Sequence, residues 1–437
     1  MSCPALEEIL SALPPAHAEL VKDVLAAADE GDAAVYLVGG PVRDWLLGRQ
    51  LVDVDLVVEP GALAVRALAK AAAPPGASVV AHDRFGTVVL RSGDAAVDLA
   101  TSRREIYEHP GALPVVEPAP LAEDLRRRDF TVNAIALPLS RAARARHPDL
   151  VDPAGGVADL ARRRLRVLHD ASFRDDPTRA LRAARLGPRL GLTLARGSLS
   201  ALRGALREGA FGRVSGERLR RELGKLFDDA ARGLDPARAL RLLSEWHVLA
   251  VLEPGLRFES SVVAPLRRVG RALEKPPWPP GRWRPLVTGL SVWLAPLAPQ
   301  LRRRALRRFA VRGGVADRIT AMPALRDRTL RALARARGRG AIDGLLHELP
   351  EEELHALHAW APPTLRRRIA RFACEDRHRR LPINGADLAA LGLAGPAVGR
   401  ALERVRVAVL DGVVRSREEA LALAVEAARP RRGARRP

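Results

Sequence analysis

The sequence predicts an α/β N-terminal region followed by an all-helical remainder. Three observations carry that prediction. Up to about residue 140, short β-branched runs alternate with Ala- and Leu-rich ones. Beyond it Val and Ile thin out, and Leu, Ala and Arg recur at helical spacing, as in "DPTRALRAARLGPRL" (176–190) and "ERLRRELGKLF" (217–227). Aromatic residues make up only 4% of the 437 residues, so the core must be built mainly from Leu, Val and Ala, and Leu and Ala favour helix. A chain of this length exceeds one ordinary domain.

Taken in order, residues 1–30 read as one amphipathic helix leading into "VYLV" (35–38). "VDLVV" (54–58), "SVV" (78–80), "TVVL" (87–90) and "AVDLA" (96–100) are the further strand candidates, with a helix over "GALAVRALAKAAA" (61–73). The proline-rich "EKPPWPPGRW" (274–283) cannot continue a helix and marks a linker. "LPINGADLAALGLAGPAVGRALERVRVAVLDG" (381–412) reads as a loop and two glycine-punctuated helices, and the tail from residue 428 as a basic disordered end.

The net charge is +21, carried almost wholly by arginine, with lysine only at 22, 70, 225 and 275. A GC-rich genome accounts for arginine over lysine but not for base over acid. A polyanionic partner accounts for the excess, with binding that weakens steeply as salt rises. Cys3 and Cys374 build neither a disulfide framework nor a thiolate zinc site, which fits a reducing, cytoplasmic setting. No signal peptide and no long uncharged apolar run is visible, so no membrane association is expected.

The chemistry concentrates in "LVGGPVRDWLLGRQLVDVDLVVEP" (37–60). Asp53 and Asp55 are one residue apart in an apolar run. On a strand they project from one face, and a covered pair of carboxylates is costly without a compensating cation. Hard oxygen donors suit Mg²⁺, and two such ions about 4 Å apart clamp an in-line phosphoryl transfer. Gly39 and Gly40 precede a helix starting near Pro41, where backbone N–H groups can approach a phosphate, and Arg43 adds a positive fork. Asp98 in "AVDLAT" is a candidate third carboxylate, and Arg103 a candidate phosphate contact.

In "RRDFTVNAIAL" (127–137), Arg127 and Arg128 offer anion contacts and Asp129 can accept from ribose hydroxyls. Asn133 lies one turn on if the segment is helical. In "DDPTRALRAARL" (175–186), Asp176 and Arg179 share a helix face, continued by Arg182 and Arg185 as a phosphate-facing row. A carboxylate accepting from an amino group and a guanidinium donating to a ring nitrogen together select cytosine and adenine over uracil and guanine.

These motifs, with "DPAGGVADLARRRLRVL" (152–168) and "SGERLRREL" (215–223), resemble in family order those of the class II tRNA nucleotidyltransferases and bacterial poly(A) polymerases. The resemblance implies a polymerase-β-like nucleotidyltransferase head with a mixed sheet (1–140). A helical neck (141–230) would select the base, and a helical body (231–330) and tail (331–437) would bind RNA. It implies Mg²⁺-dependent transfer from CTP or ATP to the 3′ end of tRNA, held by its acceptor and T arms, adding CCA or its terminal A, with no DNA partner. It gives Asp53 and Asp55 the metal and the catalysis, residues 127–133 the ribose and triphosphate, and Asp176 with Arg179 a protein template. Asp175 departs from the commoner Glu at its position, and its role is open. The filled interval 101–125 between the first two motifs disfavours CC-only addition, and the wording "HPGALP" (109–114) is closer to A-adding relatives. A poly(A) polymerase shares every motif, but the basic extension here is short. A non-catalytic RNA-binding protein on the same scaffold is opposed by the intact acid pair. An HD-type phosphohydrolase is rejected, because His82-Asp83 and His169-Asp170 lack supporting histidines.

Overall fold

The computed structural model describes residues 4–60, 64–82, 86–106 and 115–428. Cys3, Asp83, the 109–114 wording and the basic end from Arg429 lie outside the described residues. The chain forms two compact units, Met1–Leu219 with Glu245–Leu252, and Arg220–Ser244 with Glu253–Pro437. The division into head, neck, body and tail is finer than these two.

The first unit holds a six-stranded mixed sheet. Its strands are β1 (Val35–Val38), β2 (Asp55–Val58), β3 (Ser78–His82), β4 (Thr87–Ser92), β5 (Ala95–Thr101) and β8 (Ala136–Pro138), in the order β3-β4-β5-β2-β1-β8. β1 is buried along its whole length, which its uninterrupted "VYLV" anticipates. Only β2 and β5 run parallel, with Asp55 opposite Asp98 and Leu56 opposite Leu99. Ala34, Tyr36, Val38 and Val57 pack with Leu121, Leu125 and Ala136 into a core beneath this edge of the sheet.

Three expectations change. Residues 4–30 form two helices, Pro4–Ala12 and Pro15–Glu30, because Pro14 is extended (φ −57°, ψ 142°) ahead of a proline that has no N–H to give. The interval 101–125 is not loop throughout. β6 (Arg103–Ile106) pairs antiparallel with β7 (Val115–Pro118), and a helix follows over Leu121–Arg126. The segment after residue 140 also carries a minor parallel pair, Arg164–Leu165 with Thr193–Leu194.

The second unit is helical. Residues 275–284 are non-helical, as the prolines require, but they form a packed strap rather than a linker. Trp278 is 2% exposed. It and Trp283 both stack on His355, at ring separations of 4.3 and 3.7 Å. Glu351 accepts from Trp278 Nε1, lies 3.3 Å from His355 Nε2 and accepts from Arg377 at 2.7 Å. Burial alone would raise its pKa, but these partners hold it at about 2. Farther on, Asn384 and Asp387 cap the helix Gly385–Ala390 reciprocally, and Ile383, Leu388, Ala401, Val405 and Ala424 form a small core of their own. Among the described residues no helix is long and apolar enough to cross a membrane.

Candidate active site

The acid pair stands where β2 begins. Asp55 is the first residue of that strand and is half-buried; Asp53 precedes it and is exposed, as is Val52 at 53%. The expectation that both acids sit inside a covered strand is therefore corrected, since the ladder starts only at Asp55. Asp98, across the parallel register on β5, joins them. Burial, the Asp98 charge and, less strongly, Asp53 push Asp55 up to about 6, against the opposing pull of Arg128 and Arg43. Asp98 is raised as well, by burial and by Asp53, although Arg91 opposes the shift. The described acids here carry more negative charge than their surroundings neutralise.

A cradle of positive groups faces them. Gly39 adopts φ +73°, a left-handed conformation that glycine takes without strain, and caps the helix Gly40–Leu46. A Cβ at Gly39 would lie 2.8 Å from Arg128 Nη1, so the absence of a side chain lets that guanidinium close over the turn. Arg128 is aimed by Asp124, whose Oδ2 accepts from Nε at 3.1 Å and Nη2 at 2.8 Å. The other oxygen of Asp124 takes Arg127, at 3.0 and 2.6 Å. Asp124 is fully buried, and burial would raise its pKa, but Arg128 and Arg127 pull it below the usual carboxylate range. Sequence reasoning passed over Asp124. The signal was there, an acid three and four residues ahead of two arginines on one helix face.

Arg43 does not project into open space. It is 4% exposed and donates from Nε to Asp44 Oδ1 at 2.8 Å and from Nη1 to Asn133 Oδ1 at 2.6 Å. Asn133 donates in turn to Asp129 Oδ1 at 2.9 Å, and Asp129 Oδ2 lies 2.7 Å from Arg182 Nη2. Asp44, Arg43, Asn133, Asp129 and Arg182 thus form one relay, buried at its centre and half-buried at both ends, that joins the first, second and fourth motifs. Burial opposes the charge on Asp129, yet Arg182, Asn133, Arg179 and the Phe130 N–H hold its pKa below the usual value. The turn carrying Asn133 is a single 3₁₀ turn, Thr131–Asn133, buried rather than on a helix surface. A ribose reaching Asp129 therefore meets a carboxylate already engaged by Arg182.

The fourth motif differs most from its expectation. The helix begins at Arg179, and Asp176 is extended (φ −134°, ψ 92°) just ahead of it, so the two do not share a helix face. Asp176 Oδ1 accepts from Thr178 N at 3.0 Å, Thr178 Oγ1 at 2.6 Å and Arg218 Nη2 at 2.6 Å. All three bonds land on one oxygen. Arg179 is 5% exposed and donates to Ser172 Oγ and, at 2.9 Å, to the Arg127 carbonyl. Arg182 and Arg185 follow on the helix, half-buried, with Arg182 turned to Asp129 rather than outward. Arg218, in the fifth motif, is ion-paired, and its partner is Asp176.

Arg103 lies in β6. Its backbone N–H donates to Asp124 Oδ1 at 3.4 Å and its carbonyl accepts from Arg127, so the segment supports the arginine pair. In the third motif Asp152 caps the helix Gly156–Ala161 through the N–H groups of Gly156 and Val157. A Cβ on Gly156 would lie 2.2 Å from the Thr131 carbonyl oxygen, and Asp159 accepts from Thr131 Oγ1 at 2.7 Å. The third motif thereby buttresses the second.

The donor set fits a hard divalent cation. Asp53, Asp55 and Asp98 supply carboxylate oxygens only, and the raised pKa values mark negative charge that such an ion relieves. No three His, Cys, Asp or Glu side chains among the described residues are gathered into a ready cage.

Residues 35–166 match the model of the poly A polymerase head domain. The chain is 33% identical to a CC-adding tRNA nucleotidyltransferase of Deinococcus radiodurans, over 96% of both chains. It is 30% identical over 95% of its length to an A-adding tRNA nucleotidyltransferase of Geobacter sulfurreducens, but spans only 48% of that protein. It spans 28% of an A-adding tRNA nucleotidyltransferase of Aquifex aeolicus, at 39% identity over 55% of this chain. So the chain reaches about half or less of the length of those two relatives. Among solved structures, a CCA-adding enzyme without ligand superimposes with a TM-score of 0.73 at 28% identity, covering 96% of this chain and 98% of its own. A Thermotoga maritima CCA-adding enzyme complexed with tRNA gives 0.68 at 27% identity, over 96% and 97%. With an end-to-end relative at 33% identity and a head that matches the poly A polymerase head model, the chain belongs to the tRNA nucleotidyltransferase and poly(A) polymerase family.

Proposed function

We propose that this chain transfers nucleotidyl groups from CTP and ATP to the 3′ end of tRNA, adding CCA or its terminal A. The observation that carries the reading is the charge-rich trio at the β2–β5 register, Asp53, Asp55 and Asp98, facing the Gly39–Arg128 cradle. Negative oxygens beside a positive, backbone-lined turn are what a nucleoside triphosphate and its cation require. The names of the relatives and of the ligand-bound neighbours support the same substrates.

In this reading the tRNA 3′ oxygen attacks the α-phosphorus, the bond to the bridging β-phosphate oxygen breaks, and pyrophosphate leaves. Arg128, aimed by Asp124, binds the triphosphate. Asn133 and Asp129, fixed by Arg43, meet the ribose once Arg182 yields. Asp176 and Arg179 read the base, with Asp176 Oδ2 offered to the amino group because Oδ1 already holds its three bonds. Asp53 and Asp55 would hold Mg²⁺, two ions in all, which would neutralise the triphosphate and lower the pKa of the attacking hydroxyl. The head (1–140) carries the chemistry, the neck (141–230) the base selection, and the body and tail the acceptor and T arms, in a cytoplasmic setting. The arginine excess after residue 140 supports that assignment.

The test is incorporation of labelled CTP and ATP on three tRNA transcripts, ending before CCA, after the first C, and after CC. Extension of only the last makes the protein A-adding, and extension of all three CCA-adding. Long adenylate tails on an unrelated RNA would replace the tRNA reading with that of a poly(A) polymerase. No incorporation on any RNA would end the enzymatic reading.

A further inference from the structure

The second unit holds a cavity of about 390 Å³ that the chemistry above does not use. That volume lies within the usual range for small-ligand sites, about 300–1,000 Å³. Leu286, Leu290, Val311, Val315 and Ile319 give it an apolar wall. Arg220, Arg284 and Arg312, with one acid, Asp228, stand around that wall. Arg284 pairs with Glu352 at 2.6 Å, and Arg220, Arg284 and Arg312 are all solvent-exposed. An open apolar wall rimmed by guanidinium groups is unsuited to a lipid tail alone or to a metal. It suits a flat, apolar-faced group that carries negative charge.

An aromatic side chain is fixed in the same lining. Trp283 stacks on His355 at 3.7 Å with 7° between the rings, and its Nε1 donates to Thr288 Oγ1 at 2.9 Å. The indole is thus held rigid from two directions before any ligand arrives. Gly224, on the helix Gly216–Asp228, also lines the cavity, and a Cβ there would meet nothing within 4 Å. Helix propensity favours almost any other residue at that place. The open space beside Gly224 is therefore kept at a cost to the helix.

We propose that this cavity docks one unstacked nucleotide, its base against the apolar wall and Trp283 and its phosphate on the arginine rim. Base–aromatic contact with a cationic margin is how single-stranded nucleic acid is held without sequence reading. The proposal rests on the RNA-modifying reading of the chain, because an RNA partner supplies such nucleotides. The same chemistry would also take a free nucleoside monophosphate.

Two variants of the full chain test it, Gly224→Leu and Val315→Trp, each of which fills the cavity without changing charge. A tRNA transcript is titrated by filter binding, 5′-AMP by calorimetry, and each protein is melted. Gly224→Leu should melt no lower than the parent, so it decides the matter if Val315→Trp fails to fold. Both folded variants should bind the transcript about tenfold more weakly, with the KM for ATP and CTP unchanged. Heat from AMP that both proteins share belongs to the head and leaves the RNA as the source of the nucleotide; heat lost only in the variants makes free nucleotide the occupant. Transcript and AMP binding equal to the parent in folded Gly224→Leu overturns the proposal. A parent that binds the transcript but never extends it sinks the transferase reading alone, since the binding arm is scored independently.

Discussion

Two sets of carboxylates in the first unit are treated in opposite ways. Asp53, Asp55 and Asp98 crowd one another at the β2–β5 register, and burial, with the Asp98 and Asp53 charges, leaves Asp55 raised to about 6. Asp124, Asp129 and Asp176 are each engaged by arginine and other donors, Asp176 through one oxygen only. The first set stores unrelieved negative charge, which a cation would discharge. The second set stores none and spends its charge on aiming side chains. A single chain can therefore use the same residue type to destabilise one site for chemistry and to make another rigid.

Their pH behaviour has opposite signs. Asp55 is raised on folding, so its favourable contribution is present at low pH and is lost as pH rises through about 6. Asp124 is lowered on folding, so its contribution is present above the usual carboxylate value and is lost as pH falls through its depressed one. The largest expected effect follows from the first set. Asp55→Asn should reduce nucleotidyl transfer by about a thousandfold or more. In chelator-containing buffer at pH 7 it should nonetheless stabilise the fold, by about 1–2 kcal/mol after allowing for solvent screening. Calorimetric melting from pH 4 to pH 8 should show the gap between variant and parent opening through about pH 6. A variant that melts below the parent at pH 7 would break the contrast at its root.

Asp124→Asn should do the reverse. Removing the charge from a fully buried acid that holds two arginines costs about 3–5 kcal/mol. The first unit should melt markedly lower, and the nucleotide KM should rise because Arg128 loses its aim over Gly39. An unchanged melting temperature together with an unchanged KM would count against the aiming role.

How much of this was legible in the sequence depends on range. The strands 35–38, 55–58, 78–82, 87–92 and 95–101 were readable because β-branched runs are local signals. The hairpin 103–106 with 115–118 was not, since "RREI" and "VVEP" alternate too weakly to announce a pairing. The acid pair and the glycine turn were legible because spacing along one segment nearly fixes their geometry. Arg218 was missed as a functional group because its role exists only across space, toward Asp176, whereas the local i,i+3 and i,i+4 signal of Asp124 was passed over. The helix boundary at Arg179 was misplaced by a few residues, and that was enough to separate Asp176 from the face assigned to it. The strap 275–284 was read from its prolines, while its tryptophans, which anchor it, depend on His355 far along the chain.

The pair proposed to read the base, Asp176 and Arg179, sharpens the comparison at a smaller scale. Arg179 is buried and doubly held, by Ser172 and the Arg127 carbonyl, so its direction is set before a nucleotide binds. Arg179→Ala should lose about 1–3 kcal/mol of discrimination against UTP and GTP, measured as the ratio of kcat/KM values. Its loss of triphosphate affinity should be smaller. Wild-type discrimination in the variant would remove Arg179 from base selection.

The smallest effect belongs to Arg218, and it separates two ways in which an arginine can serve an acid. Arg218 could matter to Asp176 by charge, through attraction to the carboxylate, or by geometry, fixing which oxygen faces the base. The three bonds on Oδ1 favour geometry, because a carboxylate held at one oxygen presents the other. Thr178 supplies two of those bonds, so removing Arg218 leaves the acid partly oriented. The pair is also partly solvent-exposed, at 21% and 15%, which limits the charge effect to about 1 kcal/mol or less. Arg218→Ala should therefore weaken CTP-over-UTP selectivity by only a few fold, and Arg218→Lys should restore part of it if charge matters and little if the fork matters. The tRNA KM should stay put in both. A change in tRNA KM with selectivity intact would move Arg218 out of the template and into the RNA-facing surface.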